Sequence, residues 1–228
     1  MGFNERTHAF IVASYYKYLK EQFRDRGVQA FIHATLYYGM QRGRRMAQRC
    51  IRDGQPLTQA NYNYYGEWVS TEEIKAAGQA NKSVVLDGGK TIKILRCPWH
   101  EQFKAMWLLE AGQVYCTYVD VAISLGFNPT LGYEAPQSLN GADYCIHRLK
   151  NGVITEGAEK GKNPTGIKDF EYHCAHAFWS FREVTEAIFG KPKALEISEQ
   201  VLADFAAAYG PEMARKLETY GDTNFNVI

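Results

Sequence analysis

The chain has 228 residues, enough to bury a sizeable core, and its 46% hydrophobic and 22% charged content is ordinary for a soluble globular protein. Its net charge of +1 excludes the strong overall field that draws proteins to nucleic acid or to a membrane surface. Aromatic residues make up 14% and include 15 tyrosines. Tyrosine suits pockets that are partly exposed to water, because its ring is apolar and its hydroxyl needs a hydrogen-bond partner.

The sequence carries no recognisable targeting or membrane segment. Its first residues lack a basic stretch followed by an apolar run, so no secretory signal is predicted. The longest apolar region, residues 105–127, is interrupted by Glu110 and Asp120, which argues against a membrane span. The five cysteines are widely spaced and form no CxxC pair, so a structural zinc site is not favoured. We therefore predict a cytoplasmic protein with reduced thiols.

The N-terminal quarter is basic and helical. Apolar residues recur at helical spacing over residues 5–23 and 28–53, and Gly54 with Pro56 ends the second helix. Residues 1–50 hold nine Lys or Arg against three Asp or Glu, a local excess that indicates an anionic small ligand more than nucleic acid. Residues 59–80 predict a shorter helix and a loop, with Thr71 as a cap.

The middle of the chain changes to strand patterns. "SVVLDGGKTIKILRCPW" has two β-branched runs around Asp-Gly-Gly, a hairpin signal. Residues 100–111 and 113–126 predict two helical pieces separated at Gly112, and residues 128–150 predict two more short strands. Residues 151–167 read as a loop, and the remaining helices are predicted at 169–189, 197–209 and 211–219.

These elements predict an α+β fold, with an antiparallel sheet of about four strands packed against several helices. We expect one domain over residues 1–228, composed of N-terminal helices (5–53), a central sheet with helices (83–150) and C-terminal helices (169–220).

The predicted helix "QVYCTYVDVAISLGF" is apolar on every side, which is typical of a buried helix. Asp120 is therefore expected to be buried, and a buried carboxylate needs a partner. Cys116 lies one turn earlier on the same side, so a thiol and a carboxylate meet. This pair fits nucleophilic or acid–base catalysis, although a core cysteine and an aspartate bracing a nearby loop give the same spacing.

"DFEYHCAHAFWSF" predicts a helix that carries a row of polar residues, Asp169, His173, His176 and Ser180. One interpretation is a catalytic base, His173, oriented by a neighbour. The other is a solvated polar stripe, with Asp169 as the N-cap, and the pattern alone favours the stripe. The HxxH spacing also leaves a metal site open, with further ligands taken from Cys97, Cys116 or Cys145.

Strand and helix faces supply further candidate residues. "GADYCIHRL" alternates, which places Cys145 and His147 on one sheet face, in the core or along a pocket. Cys97 follows a strand, where sites often gather. "QRGRRMAQR" puts Arg42, Arg45 and Arg49 on one helix face, with Arg44 apart. These arginines either bind a carboxylate through their guanidinium groups or form a solvated basic face. There is no Gly-rich phosphate loop, no GxSxG and no HExxH.

Several of these stretches together resemble the L-2-amino-thiazoline-4-carboxylic acid hydrolase family over residues 30 to about 185. They are "GMQRGRRMAQR" at 39–49, "CPW" at 97–99, "YCTYVDVAISLGFNPTL" at 115–131, "NGADYCIHRL" at 140–149 and "DFEYHCAHAFW" at 169–179. The G-x-x-x-C piece also resembles 4-vinyl-reductase-type domains, which implies the alternative of a non-catalytic small-molecule binding domain.

The family resemblance implies hydrolysis of a carboxylate-bearing cyclic isothiourea, whose ring C–N bond breaks to give S-carbamoyl-cysteine. The resemblance does not fix the catalytic residues, and we take Cys116, Asp120 and His173 as the candidates, with Asp120 on the amidine nitrogens and His173 moving protons. A cysteine either attacks as thiolate or shapes the pocket while a base activates water, and we favour Cys116 because its helix also presents Asp120.

An arginine from residues 42–45 is the candidate partner of the substrate carboxylate. The residues expected to contact the substrate are Arg44, Arg45, Cys97, Cys145 and His176. No cofactor or metal is implied, the partner is a small molecule rather than nucleic acid or membrane, and a homo-oligomer is possible.

Overall fold

A computed structural model describes residues 2–228, which form nine α-helices and four β-strands. The helices are α1 Glu5–Phe23, α2 Asp25–Arg52, α3 Gln59–Tyr64, α4 Glu72–Ala76, α5 Pro98–Ala105, α6 Leu109–Phe127, α7 Phe170–Phe189, α8 Lys191–Tyr209 and α9 Pro211–Glu218. The strands are β1 Lys82–Leu86, β2 Thr91–Arg96, β3 Tyr133–Gln137 and β4 Cys145–Leu149. The predicted α+β class is confirmed.

The four strands form one antiparallel sheet in the order β1-β2-β4-β3. The hairpin predicted around Asp-Gly-Gly joins β1 to β2, and its three turn residues all have positive φ. In the β2–β4 ladder, Ile94 is opposite Cys145 and Ile92 is opposite His147. Because strand side chains alternate, these four residues share one face, and that face lines the cavity described below.

Helices α2 and α6 touch through their backbones. A Cβ placed on Gly39 would lie 2.6 Å from the Ala122 Cβ, closer than real side chains approach. A Cβ on Gly43 would strike the Ile123 carbonyl, and one on Gly126 would strike the Met40 carbonyl. The glycines therefore permit a helix approach that larger residues would prevent, and this approach brings the side chains of α2 and α6 to one cavity.

The predicted break at Gly112 is wrong, because the chain breaks earlier, between α5 and α6, where Trp107 has φ 58. Gly112 lies inside α6, where a Cβ would clash with the side chains of Asn140 and Phe103. Its role is close packing rather than helix termination. Helix α6 is also less enclosed than its apolar sequence suggests, since Leu125 is 44% exposed.

Two helix ends also differ from expectation. Helix α8 begins at Lys191, not at residue 197, with Pro192 in its first turn, a position where the missing N–H of proline costs nothing. Thr71 precedes α4 as predicted, but its hydroxyl donates to the buried Glu5 carboxylate, 2.7 Å away, instead of capping the helix.

The core consists of buried aromatic and aliphatic side chains from α1, α2, α6, α7 and α8, with contributions from the sheet and from Phe225. Within residues 2–228, none of the helices combines the length and the apolar character needed to cross a membrane.

Candidate active site

A cavity of about 310 Å³ lies between helices α1, α2, α6 and α7 and the buried face of the sheet. Its lining includes the exposed residues Asn81 and Ser83 beside β1, so the cavity opens to solvent there. Its titratable or nucleophilic lining residues are His8, Tyr38, Arg42, Cys97, Tyr115, Cys116, Asp120, Tyr133, Cys145, His147 and His173. Trp68, Trp99 and Phe170 supply aromatic walls. A half-apolar cavity with a few converging polar groups is the usual form of a small-molecule site.

Five residues singled out from the sequence line this cavity together: Cys97, Cys116, Asp120, Cys145 and His173. They come from α6, α7, the end of β2 and the start of β4, which are distant in sequence. Asp120 is partly buried rather than fully buried, because it faces the cavity and not the packed core.

Three residues expected to contact a substrate lie outside the cavity lining: Arg44, Arg45 and His176. Arg44 is exposed on the far side of α2. Arg45 is fully buried, and its guanidinium is occupied by the Glu67 carboxylate and the Phe225 carbonyl. His176 is fully buried between Gln41 and Arg45. The expected substrate contact therefore does not fit the positions of these three residues.

The polar row on α7 is not a solvated stripe, because His173, His176 and Ser180 are all buried. Asp169 is the N-cap of α7, as the alternative interpretation held, and its Oδ1 accepts the Tyr172 N–H at 2.8 Å. The basic face of α2 is likewise buried rather than solvated, which the sequence could not show without the position of its counter-charge.

That counter-charge is Glu67, which lies in the loop after α3 and is fully buried. Its Oε1 accepts from Arg45 Nε at 3.0 Å and from Arg49 Nη1 at 2.6 Å, and its Oε2 accepts from Arg45 Nη2 at 2.6 Å. Burial alone would raise the pKa of Glu67, but the guanidinium charges of Arg45 and Arg42 lower it to about 2. The carboxylate is therefore ionised at neutral pH.

This carboxylate belongs to a set of buried, mutually bonded side chains that we call the arginine–glutamate layer: Gln41, Arg45, Arg49, Glu67, His176 and Ser180. Gln41 Oε1 accepts from Ser180 Oγ at 2.8 Å and from His176 Nε2 at 2.9 Å. His176 Nδ1 lies 3.4 Å from Arg45 Nη2, which can only donate, so the imidazole proton is on Nε2. The functional groups of the layer are paired with one another, which makes it a structural support.

Arg42 differs from the arginines of the layer. It lines the cavity, and its Nε is 3.9 Å from Glu67 Oε2, beyond hydrogen-bond distance. Arg42 Nε is buried without a hydrogen-bond partner, and the guanidinium donates to no other group in residues 2–228. Three guanidinium groups thus surround a single carboxylate, and Arg42, the one that faces the cavity, is the least closely paired with it.

His173 lines the same cavity and has one unpaired ring nitrogen. Its Nε2 donates to the Glu67 backbone carbonyl at 3.2 Å, so the proton is on Nε2 and the lone pair that can accept a hydrogen bond is on Nδ1. Nδ1 is buried and has no hydrogen-bond partner within residues 2–228. Burial and the charge of Arg42 hold the pKa of His173 well below its usual value, so the ring is neutral and Nδ1 is an acceptor.

A second neutral imidazole, His8, sits on the α1 side of the cavity. Its Nδ1 is 3.1 Å from Trp99 Nε1 and its Nε2 is 3.1 Å from the Tyr38 hydroxyl. Burial and the nearby Arg42 lower the pKa of His8 to about 3. The sheet side carries a third imidazole, His147, whose Nδ1 is 2.8 Å from the Tyr133 hydroxyl.

The three cavity cysteines are held as thiols. Burial raises the pKa of Cys97 to about 12, and burial, the other two thiols and the Asp120 charge raise the pKa of Cys116 well above its usual value. Burial and Asp120 also raise the pKa of Cys145. Cys116 Sγ accepts from Asn140 Nδ2 at 3.4 Å, the hydrogen bond that fixes its position. Among residues 2–228, no three His, Cys, Asp or Glu side chains are arranged to hold a metal ion.

The sequence offered Arg42 only as one of several arginines able to bind a carboxylate, and it gave no sign of four further lining residues: His8, Tyr38, Tyr115 and Tyr133. The helical spacing of Arg42 with Arg45 and Arg49 was a usable signal, since it set Arg42 apart from Arg44. His8 is a single histidine on an amphipathic helix, and its sequence context offers no comparable signal.

Comparison with known proteins gives one family. The family model described as L-2-amino-thiazoline-4-carboxylic acid hydrolase matches residues 4–149, well over half of the chain. The matched range includes α1, which lies outside the span expected from sequence motifs, and it ends before α7, so His173 lies beyond it. No curated protein and no solved structure gives a match.

Proposed function

The chain belongs to the L-2-amino-thiazoline-4-carboxylic acid hydrolase family, and on that premise we propose that its cavity hydrolyses a small cyclic amidine that bears a carboxylate. The observation that carries the proposal is a single cavity whose lining combines a guanidinium without a hydrogen-bond partner, a carboxylate and an imidazole with an unpaired nitrogen. These groups belong to Arg42, Asp120 and His173. A 2-aminothiazoline-4-carboxylate has the complementary groups, since it combines a carboxylate with an amidine that becomes cationic on protonation.

The charges of the cavity support one orientation of such a substrate. The Arg42 guanidinium has no protein partner at hydrogen-bond distance, so it is available to a substrate carboxylate in the fork geometry that guanidinium groups favour. Asp120 lies on α6 and lines the same cavity as Cys97, Cys116 and Cys145. There it accepts the amidine N–H groups and stabilises their positive charge.

His173 is the base in this proposal. Its Nδ1 is fixed as an acceptor by the Nε2 bond to the Glu67 carbonyl, so the tautomer that a base needs is already in place. Nδ1 is covered by its surroundings in this structure, so the proposed step requires a small movement of the cavity wall that brings a water to it. The low pKa of His173 makes it a weak base before a substrate binds. A bound carboxylate that neutralises Arg42 removes one of the charges that lower this pKa, so substrate binding strengthens the base.

Water, rather than a thiolate, is the nucleophile that this environment favours. The raised pKa values of Cys116, Cys97 and Cys145 leave little thiolate at neutral pH, and only the thiolate attacks efficiently. Cys116, which the sequence favoured as nucleophile, then shapes the wall beside Asp120. It remains a candidate nucleophile that the experiment below tests directly.

The proposed step forms a bond between the water oxygen and the amidine carbon as the water proton passes to His173 Nδ1. The ring C–N bond of the tetrahedral intermediate then breaks, its electron pair remains on the ring nitrogen, and His173 returns the proton to that nitrogen. The hydroxyl proton on the former amidine carbon passes to the released amine as the carbonyl forms. The product is an S-carbamoyl-cysteine-like compound, and His173 is neutral again at the end of the reaction.

The test is to incubate the protein with 2-aminothiazoline-4-carboxylate and measure the ring-opened product by mass spectrometry. Loss of a general base costs about 10²- to 10⁴-fold in kcat, so His173→Gln is expected to fall in that range. Asp120→Asn should raise KM and lower kcat, because it removes the charge that stabilises the amidinium. Arg44→Gln is the control at an exposed site outside the cavity.

Cys116→Ser separates the two nucleophiles. If water attacks, this variant should keep activity within about tenfold of the wild type, since the hydroxyl fills the same place. Complete loss of turnover together with a labelled substrate adduct on Cys116 would establish thiolate attack instead. A wild-type protein that is stabilised by the ligand but returns it unchanged after long incubation would be a binding domain, and the hydrolase proposal would fail.

A further inference from the structure

We propose that Tyr38 determines specificity in this site, its hydroxyl donating a hydrogen bond to the substrate carboxylate beside Arg42. This inference rests on the proposed function for the identity of the ligand, but its argument comes from the direction of one hydrogen-bond chain. The chain runs from Trp99 through His8 to Tyr38.

The direction of the chain is fixed at its first member. An indole N–H can only donate, so His8 Nδ1, 3.1 Å from Trp99 Nε1, must be the acceptor. A neutral imidazole carries its one proton on the other nitrogen, which is Nε2. His8 Nε2 therefore donates to the Tyr38 oxygen, 3.1 Å away, and Tyr38 cannot donate in return. The low pKa of His8 preserves this direction at physiological pH.

The Tyr38 proton is consequently left without an acceptor. The hydroxyl is buried, and His8 is its one hydrogen-bond partner within the part of the chain that the structure describes. A buried hydroxyl that has accepted a hydrogen bond is a better donor, because the chain polarises it. Tyr38 lines the cavity, so a ligand acceptor there would satisfy the proton.

Arg42 identifies the kind of acceptor. Tyr38 and Arg42 lie four residues apart on α2, and such residues project from the same helix face. Both line the cavity, both present donors, and neither donates to another protein group in residues 2–228. Two adjacent donor groups without an acceptor between them match an anion, and a planar carboxylate can occupy the guanidinium fork and the hydroxyl together.

The test uses two half-ligands and one variant. Thiazolidine-4-carboxylate carries the acid without the amidine, and 2-aminothiazoline carries the amidine without the acid. Tyr38→Phe should raise the Kd of thiazolidine-4-carboxylate about 10- to 100-fold, the contribution of a hydrogen bond to a charged group, and leave the Kd of 2-aminothiazoline unchanged. Isothermal titration calorimetry measures both constants.

The matched control is Tyr15→Phe. Tyr15 is as buried as Tyr38 and donates to the Phe178 carbonyl at 3.0 Å, outside the cavity lining. This control loses a buried hydroxyl and a hydrogen bond without changing either Kd. If Tyr38→Phe does not fold, Trp99→Phe tests the same chain, because it frees His8 to accept from Tyr38. Trp99 is also part of the cavity wall, so both Kd values should change, but the Kd of the acid half-ligand should rise more than that of the amidine half-ligand.

Equal changes in both Kd values, or no change in either, would overturn the assignment of Tyr38, as would a wild-type protein that does not bind the acid half-ligand. The ring-opening assay tests the proposed reaction independently of these Kd values. A wild type that opens the thiazoline ring while Tyr38→Phe binds normally removes Tyr38 and keeps the hydrolase. If the wild type never opens the ring but Tyr38→Phe selectively weakens binding of the acid half-ligand, the role of Tyr38 stands and the hydrolase proposal fails.

Discussion

The cavity and the arginine–glutamate layer are neighbours that draw on the same two helices, α2 and α7, yet they treat polar groups in opposite ways. In the layer, Arg45 and Arg49 share the Glu67 carboxylate, and His176 is bonded on both nitrogens. In the cavity, Arg42 and the Nδ1 of His173 are left without partners. Residues of the same type, one helical turn apart, thus hold the fold in one place and are available to a ligand in the other.

This difference teaches that burial alone does not identify a functional group. Arg45 and His176 are more deeply buried than Arg42, but their bonds are complete. An unpaired buried polar group costs free energy that the fold must supply, and a ligand that pairs it recovers that free energy. A buried polar group that is both unpaired and on the wall of a cavity, as in Arg42 and His173, is therefore the better guide to the site.

Acid should disturb both regions, and this is the largest effect we expect. His8, His173 and His176 have folded-state pKa values below the unfolded value of 6.5, near 3 for His8. The unfolded chain then binds about three more protons, so stability falls by roughly 4 kcal/mol per pH unit as pH drops below 6. Urea unfolding between pH 7 and pH 5 measures this slope.

The lowered pKa of Glu67 adds to the same trend, since its contribution is present above pH 4.5 and is lost as pH falls toward 2. His8→Gln should reduce the slope by one proton, roughly 1.4 kcal/mol per pH unit, while His33→Gln at an exposed position leaves it unchanged. A flat stability profile from pH 7 to pH 5 would contradict the neutral, buried state of the three imidazoles.

Glu67→Gln should remove the counter-charge of the layer and leave three buried guanidinium groups uncompensated. We expect a loss of about 3–5 kcal/mol in the free energy of unfolding, the usual result of breaking a buried ion pair from one side. Glu134→Gln, in the exposed pair with Lys150, should cost under about 1 kcal/mol. Similar losses in the two variants would show that the layer is not the structural element its bonding indicates.

Arg42→Gln and Arg45→Gln form a pair that separates the two regions. Arg42→Gln should weaken binding of thiazolidine-4-carboxylate about 10- to 100-fold and change stability by under about 1 kcal/mol, because no protein hydrogen bond is broken and the ion pair with Glu67 that is lost is a long one, 3.9 Å. Arg45→Gln should instead lower stability by about 3–5 kcal/mol. Calorimetric titration and urea unfolding of both variants measure these effects. A large loss of stability in Arg42→Gln, or a loss of ligand binding in Arg45→Gln without a loss of stability, would contradict the distinction between the two regions.

Arg44→Gln should have the smallest effect. Arg44 is exposed and lies outside both regions, so stability should stay within about 0.5 kcal/mol and binding of either half-ligand should not change. The same two measurements apply. A clear loss of acid binding would return Arg44 to the role that the sequence assigned to it.

Periodicity predicted the parts of the site that depend on local pattern. The alternation of "GADYCIHRL" placed Cys145 and His147 on one sheet face, and both line the cavity. Helical spacing placed Cys116 and Asp120 together on α6, and both line it as well. These predictions needed only the face of an element, which the sequence determines.

The choice among the arginines needed more than a face. Arg42, Arg45 and Arg49 share one side of α2, but which of them is paired depends on where the loop after α3 delivers Glu67. That is a long-range contact, as is the Glu67 carbonyl that fixes the His173 tautomer. Neither leaves a trace in spacing along a helix, so Arg45 was expected where Arg42 lies.

The backbone contact between α2 and α6 has a consequence for how this scaffold changes its substrates. Gly39, Gly43 and Gly126 already bring the two helices to their limit of approach, so the distance across that wall is not adjustable by side-chain repacking. The opposite wall, formed by Ile92 and Ile94 of β2, consists of ordinary aliphatic side chains that can be trimmed or enlarged. Selection for a bulkier or slimmer ring would therefore act on the strands, and the helical wall would be inherited unchanged.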